Sequence, residues 1–189
     1  MGSIVLYMQI SLDGIVSDVD RWASIDDGIL EGALDYYDSL DAIVIGANSY
    51  PSMAEYWQQA ELASESALER SFAKRINELP KIVLSRAEME LAWKNSELLL
   101  YRDEESLVRG IESLRGRMAK DISVESGVRT WQRLLRHDLF DELRMLVHPA
   151  VAKVGEKLFA GAEESRALLL ESSRVYDSGV VELHYRKKG

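Results

Sequence analysis

The sequence predicts a three-layer α/β domain whose central sheet is mostly parallel and ends in an antiparallel C-terminal hairpin. Three observations lead there. Short apolar runs alternate with helical stripes through the first two thirds of the chain, and four of those runs end in polar or glycine-bearing turns. The last third changes to long alternating segments that meet at Asp177-Ser-Gly179, a hairpin signal.

Ile4, Leu6, Met8, Ile10 and Leu12 alternate with Val5, Tyr7 and Gln9, which predicts a central strand covered on both faces. Asp26-Asp27 starts a helix carrying Ile29, Leu30, Ala33, Leu34 and Tyr37, its acidic first turn matching the helix dipole. The next strand runs from Ala42 to Gly46. From Ala60 to Leu79 the residues Leu62, Leu68, Phe72, Ile76 and Leu79 predict one crossover helix, stopped by Pro80 before the strand Lys81 to Ser85. Glu97 to Tyr101 reads as a strand, Glu104 to Met118 as a helix, and Asp121 to Val124 as a strand that passes through Glu125-Ser-Gly-Val-Arg-Thr130 into the helical spacing of Gln132-Arg-Leu-Leu135. Leu143 to Val147, Ala167 to Tyr176 and Val180 to Arg186 complete the sheet.

A chain of 189 residues with 47% hydrophobic content is long enough for one substantial core, so a single domain over residues 1–189 is expected. With 23 basic against 32 acidic residues the formal charge is −9, which argues against nucleic-acid binding. The absence of cysteine excludes disulfides, thiolate metal sites and a cysteine nucleophile, and fits a reducing compartment. No signal-peptide pattern opens the chain, and no apolar stretch approaches the roughly 18 residues of a membrane span. A soluble, cytoplasmic protein without membrane partners is expected.

The corner at Ser126-Gly127 directs the first N–H groups of a helix towards the end of a strand, a place for phosphate. Its companions are Ser11-Leu-Asp-Gly14, Gly46 leading into Asn48-Ser-Tyr50, and Ser85-Arg86. With Asp141-Glu-Leu143, His148-Pro149, Lys157-Leu-Phe159 and Ser178-Gly-Val-Val181 following in that order, the chain from about Ile4 to Tyr185 resembles the dihydrofolate-reductase-like superfamily. It is most similar to the branch containing the reductase domain of the riboflavin-pathway bifunctional deaminase-reductase. The zinc deaminase signature of the bifunctional enzymes is missing from this sequence.

That resemblance implies an NADPH-dependent reductase of a small nitrogen heterocycle, of the kind that reduces 5-amino-6-(5-phosphoribosylamino)uracil or dihydrofolate. It implies cofactor contacts from Gly14, Gly46 and Ser49, from Ser85 and Arg86 at the adenosine end, and from Ser126, Gly127, Val128, Arg129 and Thr130 at the pyrophosphate. Arg86 suits a 2′-phosphate because an arginine fork makes charge-assisted contacts, and Arg129 in a first helical turn opposes the dipole unless an anion is near. Asp13 falls at the rim of the nicotinamide and substrate pocket as a catalytic candidate that positions substrate or water, although an aspartate before glycine also simply forms a turn. Tyr50 and Trp57, with Trp22 and Tyr56, offer aromatic faces for a flat ring, or core packing.

Three positions depart from the family pattern: Ala47 where an arginine is common, Ser126 in place of the first of two glycines, and Lys153 in place of a turn glycine. Lys153 holds a substrate phosphate or carboxylate, or is solvated. The departures leave a second reading open, a noncatalytic dinucleotide-binding or dimeric interaction protein. His137, His148 and His184 lack metal-ligand spacing, and no metal is expected. The final hairpin offers apolar alternation at an exposed edge, from which a homodimer is expected.

Overall fold

The computed structural model describes residues 2–160 and 167–188; residues 1, 161–166 and 189 of the expected domain lie outside them. The first strand, β1 (Ile4–Ser11), buries Ile4, Leu6, Met8 and Ile10 on one face and Val5 and Tyr7 on the other, as its doubly apolar pattern requires. A short 3-10 turn at Val19–Arg21 precedes α1 (Asp27–Asp38), whose N-cap Asp26 accepts from the Ile29 amide at 2.8 Å. Strand β2 (Leu40–Gly46) follows.

The single helix expected from Ala60 to Leu79 is two helices, α2 (Tyr50–Ala63) and α3 (Ala67–Glu78). Serines break it: Ser66 leaves the helical region to cap α3, accepting from the Glu69 amide at 3.1 Å, and the Ser64 hydroxyl donates to the Glu69 carboxylate. Leu62, counted in the apolar stripe, is exposed. The start of α2 escapes the hydrophobic pattern because it buries only Tyr50, Ala54 and Ala60, although Pro51 at its first turn is a helix-start signal.

Next come β3 (Lys81–Ser85), β4 (Ser96–Leu100), α4 (Glu104–Arg117), β5 (Asp121–Val124), α5 (Val128–Arg136) and β6 (Glu142–His148). The C-terminal hairpin is β7 (Leu168–Val175) and β8 (Val181–Lys187). Among the described residues one eight-stranded sheet has the order β4-β3-β2-β5-β1-β6-β8-β7. Strands β1 to β6 pair in parallel, β8 lies antiparallel to β6, and β7 antiparallel to β8. The fold is therefore the α/β arrangement that the sequence predicts, with β1 well inside the sheet.

Helices α1, α2 and α3 pack with Val5, Tyr7, Ile43, Ile45 and Val83 on one face. Helices α4 and α5 pack with Ile4, Leu6, Val44, Ile122 and Val124 on the other. The Trp131 indole donates to the Val124 carbonyl at 2.9 Å and so ties α5 to the end of β5. Among the described residues no helix is long and apolar enough to cross a membrane.

Candidate functional site

Strands β2 and β5 are parallel neighbours, with Val44 opposite Val124, yet the helices that follow them leave to opposite faces. Chain reversal of this kind opens a crevice at the carboxyl ends of the two strands, where open α/β sheets bind ligands. The two turns meet there. The Gly46 amide donates to the Ser126 hydroxyl at 2.9 Å. A β-carbon on Gly46 would stand 2.6 Å from Thr130 Oγ1 and 2.8 Å from Ser126 Oγ, and one on Gly127 would stand 3.2 Å from Ser49 Oγ. At Gly46 glycine thus permits the close approach of the two turns, whereas at Gly127 a small shift of the Ser49 hydroxyl would make room.

Helices α2 and α5 both start at this crevice, with Ser49 and Gly127 as N-caps; the Ser49 side chain does not cap α2, and Gly127 has no side chain with which to cap α5. In contrast, α1, α3 and α4 are capped by Asp26, Ser66 and Asp103. Two helix starts without side-chain caps facing one crevice suit a diphosphate, through donor N–H groups and two aligned dipoles. Val128 is buried, Thr130 abuts Gly46, and Arg129 is exposed on the first turn of α5.

Towards β1 the site rim is a pair of laced loops. Asp13 accepts from the Ser11 hydroxyl at 2.7 Å and from the Ala152 and Lys153 amides at 3.0 and 2.9 Å. The Ser11 hydroxyl and those amides hold its carboxyl down at about 2. Asp13 is therefore an ionised loop anchor at the rim, the turn-forming one of the two roles expected of it. Gly14 adopts φ 84° and its carbonyl accepts from the Leu158 amide at 3.1 Å, while Lys153 adopts φ 65°. Lys153 is brought beside Asp13 through its backbone, with an exposed side chain.

The carboxyl group that sequence reasoning missed is Glu125, directly before the Ser126 corner. It faces the α1 side together with Ser123, whose hydroxyl donates to it at 2.6 Å. Burial lifts it from 4.5 to about 7, against the opposing pull of Ser123, Tyr37 and Arg144. Its charge in turn opposes ionisation of Tyr7, Tyr36 and Tyr37, whose phenols burial already holds well above their usual range. Tyr7 and Tyr36 stack at 5.2 Å, the Arg144 guanidinium lies 4.1 Å from the Tyr36 ring centre, and Arg144 pairs with Glu182. A lone acidic residue closing the apolar run Ile122-Ser-Val124 was the available signal.

Further along the same face His148 is buried. Its Nδ1 accepts from the Ser24 amide at 3.2 Å, which leaves Nε2 to donate to Gln9 Oε1 at 2.6 Å. Burial pushes its pKa down, so the ring is neutral. Trp22 packs edge-on against it at 5.6 Å.

Tyr50 and Trp57 stand away from this wall. The Tyr50 hydroxyl donates to Ser96 Oγ at 2.9 Å and accepts from the Trp93 amide at 2.8 Å in the buried core. Trp57 packs edge-on against Phe72 at 5.0 Å and Tyr56 at 4.8 Å. Both belong to the packing around α2 and α3, so the aromatic wall near Glu125 is Tyr7, Tyr36 and Tyr37.

On the β3 side, the Ser85 hydroxyl closes a turn, donating to the Ala87 carbonyl at 2.6 Å and accepting from its amide at 3.2 Å. Arg86 extends outward over Tyr101 and reaches Glu104. A cavity of about 810 Å³ lies elsewhere, at the amino ends of β1 and β6 among Ser3, Arg115, Asp141 and Glu142. It lacks the converging turns and helix starts of the crevice. Among the described residues no group of three His, Asp or Glu side chains is placed to hold a metal ion.

Residues 3–182 match the family model for the RibD C-terminal domain. The chain belongs to the RibD C-terminal domain family. YyaP of Bacillus subtilis strain 168, an uncharacterized protein, is 25% identical over 190 residues, covering 98% of this chain and 95% of YyaP. A Shewanella sp. PV-4 protein assigned to riboflavin biosynthesis superposes with a TM-score of 0.73 at 20% identity over 99% of both chains. A pyrimidine reductase-like protein of Corynebacterium diphtheriae gives 0.61 at 16% identity, over 100% of this chain and 92% of that one. The Thermotoga maritima diaminohydroxyphosphoribosylaminopyrimidine deaminase/5-amino-6-(5-phosphoribosylamino)uracil reductase gives 0.65 at 14% identity over 99% of this chain, which spans 57% of that protein. These structures share the fold of this RibD C-terminal domain protein.

Proposed function

We propose that the protein is an NADPH-dependent reductase of a small nitrogen heterocycle, with the dinucleotide lying across the β2/β5 crevice. One observation carries the reading: two helix starts without side-chain caps converge at a topological switch point, directly beside a carboxyl group whose pKa burial lifts to about 7. The residues present fit a dinucleotide. Gly46 and Gly127 keep β-carbons out of the crevice, the α2 and α5 starts suit a pyrophosphate, and Arg86 stands on the outer side for a further phosphate.

When bound, the reduced nicotinamide supplies a hydride. The protein's share is then positional and protonic. Glu125 holds a proton near neutrality at the end of β5 and is the group suited to hand it to a ring nitrogen of the acceptor. Burial beside Tyr7, Tyr36 and Tyr37 keeps the charged form of that carboxyl unfavourable, outweighing the hydrogen bond with Tyr37 that favours it. Asp13 fixes the rim by tying the loop after β1 to the loop after β6.

The acceptor class follows the uracil reductase activity named for the Thermotoga maritima relative and the pyrimidine reductase-like name of the Corynebacterium diphtheriae one. NADPH oxidation by the purified protein, measured with aminouracils bearing a ribosylamino or phosphoribosylamino group and with pteridines, tests this directly. Turnover of at least one such ring that is lost in Glu125→Gln supports the reading. Dinucleotide binding without turnover of any of them would leave a noncatalytic binding protein.

A further inference from the structure

Two arginines from different elements converge on one carboxylate beside one phenol ring. The guanidinium carbons of Arg86, after β3, and Arg133, in α5, lie 5.6 and 5.4 Å from the ring centre of Tyr101, and Arg133 also donates to the Tyr101 hydroxyl. Glu104 Oε1 stands 3.4 Å from Arg86 Nη2 and 3.3 Å from Arg133 Nε, while its Oε2 lies 2.9 Å from His137 Nε2.

Glu104 is not needed where it stands to cap a helix. Asp103 already caps α4, accepting from the Ser106 amide at 2.8 Å within a reciprocal capping box. Nor is the side chain as a whole sealed in the core: that of Glu104 is 41% exposed and that of Arg86 57%, although Glu104 Oε2 is buried against His137. What Glu104 does is place negative charge between two guanidinium groups at the carboxyl end of the sheet, on the β3–β4 side of the crevice.

We propose that Glu104 is a specificity residue of the dinucleotide site: it stands in for a 2′-phosphate between Arg86 and Arg133 and so weakens the preference for NADPH over NADH. The inference rests on the dinucleotide reading above. A phosphate arriving there meets arginines that are already neutralised and a like charge a few ångströms away, which disfavours it. The β2 turn adds no compensating cation, because Ala47 follows Gly46. Arg86, the more exposed arm with the longer contact, is the one free to turn to the phosphate, whereas Arg133 is also held by the Tyr101 hydroxyl.

Glu104→Gln keeps the shape and removes the charge. Calorimetric titration of the parent and this variant with NADPH, NADH, 2′,5′-ADP and 5′-ADP reads the effect without turnover. The two ligands bearing a 2′-phosphate should bind the variant about tenfold more tightly, comparable to one charged hydrogen bond, and the other two within about twofold of the parent. Arg86→Ala, which leaves Glu104 untouched, should weaken only the 2′-phosphate ligands. Equal changes for all four ligands in Glu104→Gln, or a selective loss of NADPH, would overturn the proposal while leaving the dinucleotide reading intact. A folded parent that binds none of the four would overturn both.

Discussion

The Ser123 hydroxyl donates to the Glu125 carboxylate at 2.6 Å, yet Glu125 still titrates at about 7. A hydrogen bond to the charged form normally lowers a carboxyl pKa, so burial beneath α1 outweighs it here.

This has a consequence for stability. The folded-state pKa of Glu125 lies above its unfolded value of 4.5, so the native state binds that proton more tightly between about pH 4.5 and 7. The contribution is fully present below that window and is lost as pH rises through it, by up to about 3 kcal/mol. Urea unfolding of the parent and of Glu125→Gln across pH 4 to 8 isolates the group as a difference curve. Stability relative to the variant should fall with rising pH, and parallel curves would contradict the assignment. Turnover of the variant should drop about 100-fold or more.

Asp13→Asn should act on the loops before it acts on chemistry. The amide nitrogen of asparagine cannot accept a backbone N–H, so the Ala152 and Lys153 amides together lose part of the anchor they share. Hydrogen exchange at those two amides should speed up, with a smaller loss of turnover than in Glu125→Gln. An Asp13→Asn protein with unchanged exchange and no turnover would instead make Asp13 a residue that positions substrate or water directly.

The sheet was legible because its signal is local: Ile4 to Ile10 and Ile43 to Ile45 are apolar on both faces wherever they are placed. The hairpin was legible from Ser178-Gly179, where Gly179 adopts φ 83°. The break between α2 and α3 was not, because the Ser64 and Ser66 hydroxyls compete with the helix through side-chain bonds that a hydrophobic stripe does not register. At the site, the glycines could be read from their turns. Glu125 could not, since its raised pKa comes from burial, which outweighs the opposing pull of Ser123, Tyr37 and Arg144 and which only the fold creates. Tyr50 was misleading for the same reason: its hydroxyl is satisfied by Trp93 and Ser96, far along the chain.

The edge strand β7 carries the exposed side chains of Leu169, Leu170 and Val175 and has β8 as its one strand partner among the described residues. Pairing of this strand between two copies would cover that edge. Light scattering should therefore find a particle of twice the 21.4 kDa chain mass, and Leu170→Lys should shift it towards a single chain. A particle of 21.4 kDa at every concentration would reject the dimer.

The central claim, a dinucleotide across the β2/β5 crevice, is tested most directly at Gly127. Its φ of −82° and ψ of 163° are open to any residue, and an added β-carbon meets only Ser49 Oγ at 3.2 Å, so Gly127→Val should still fold. The valine methyl groups would then stand at the start of α5, where the pyrophosphate is proposed to lie. Titration with NADPH, alongside thermal unfolding of both proteins, should show saturable binding to the parent and none to a folded Gly127→Val. Equal binding by the two, or none by the parent, would contradict the account.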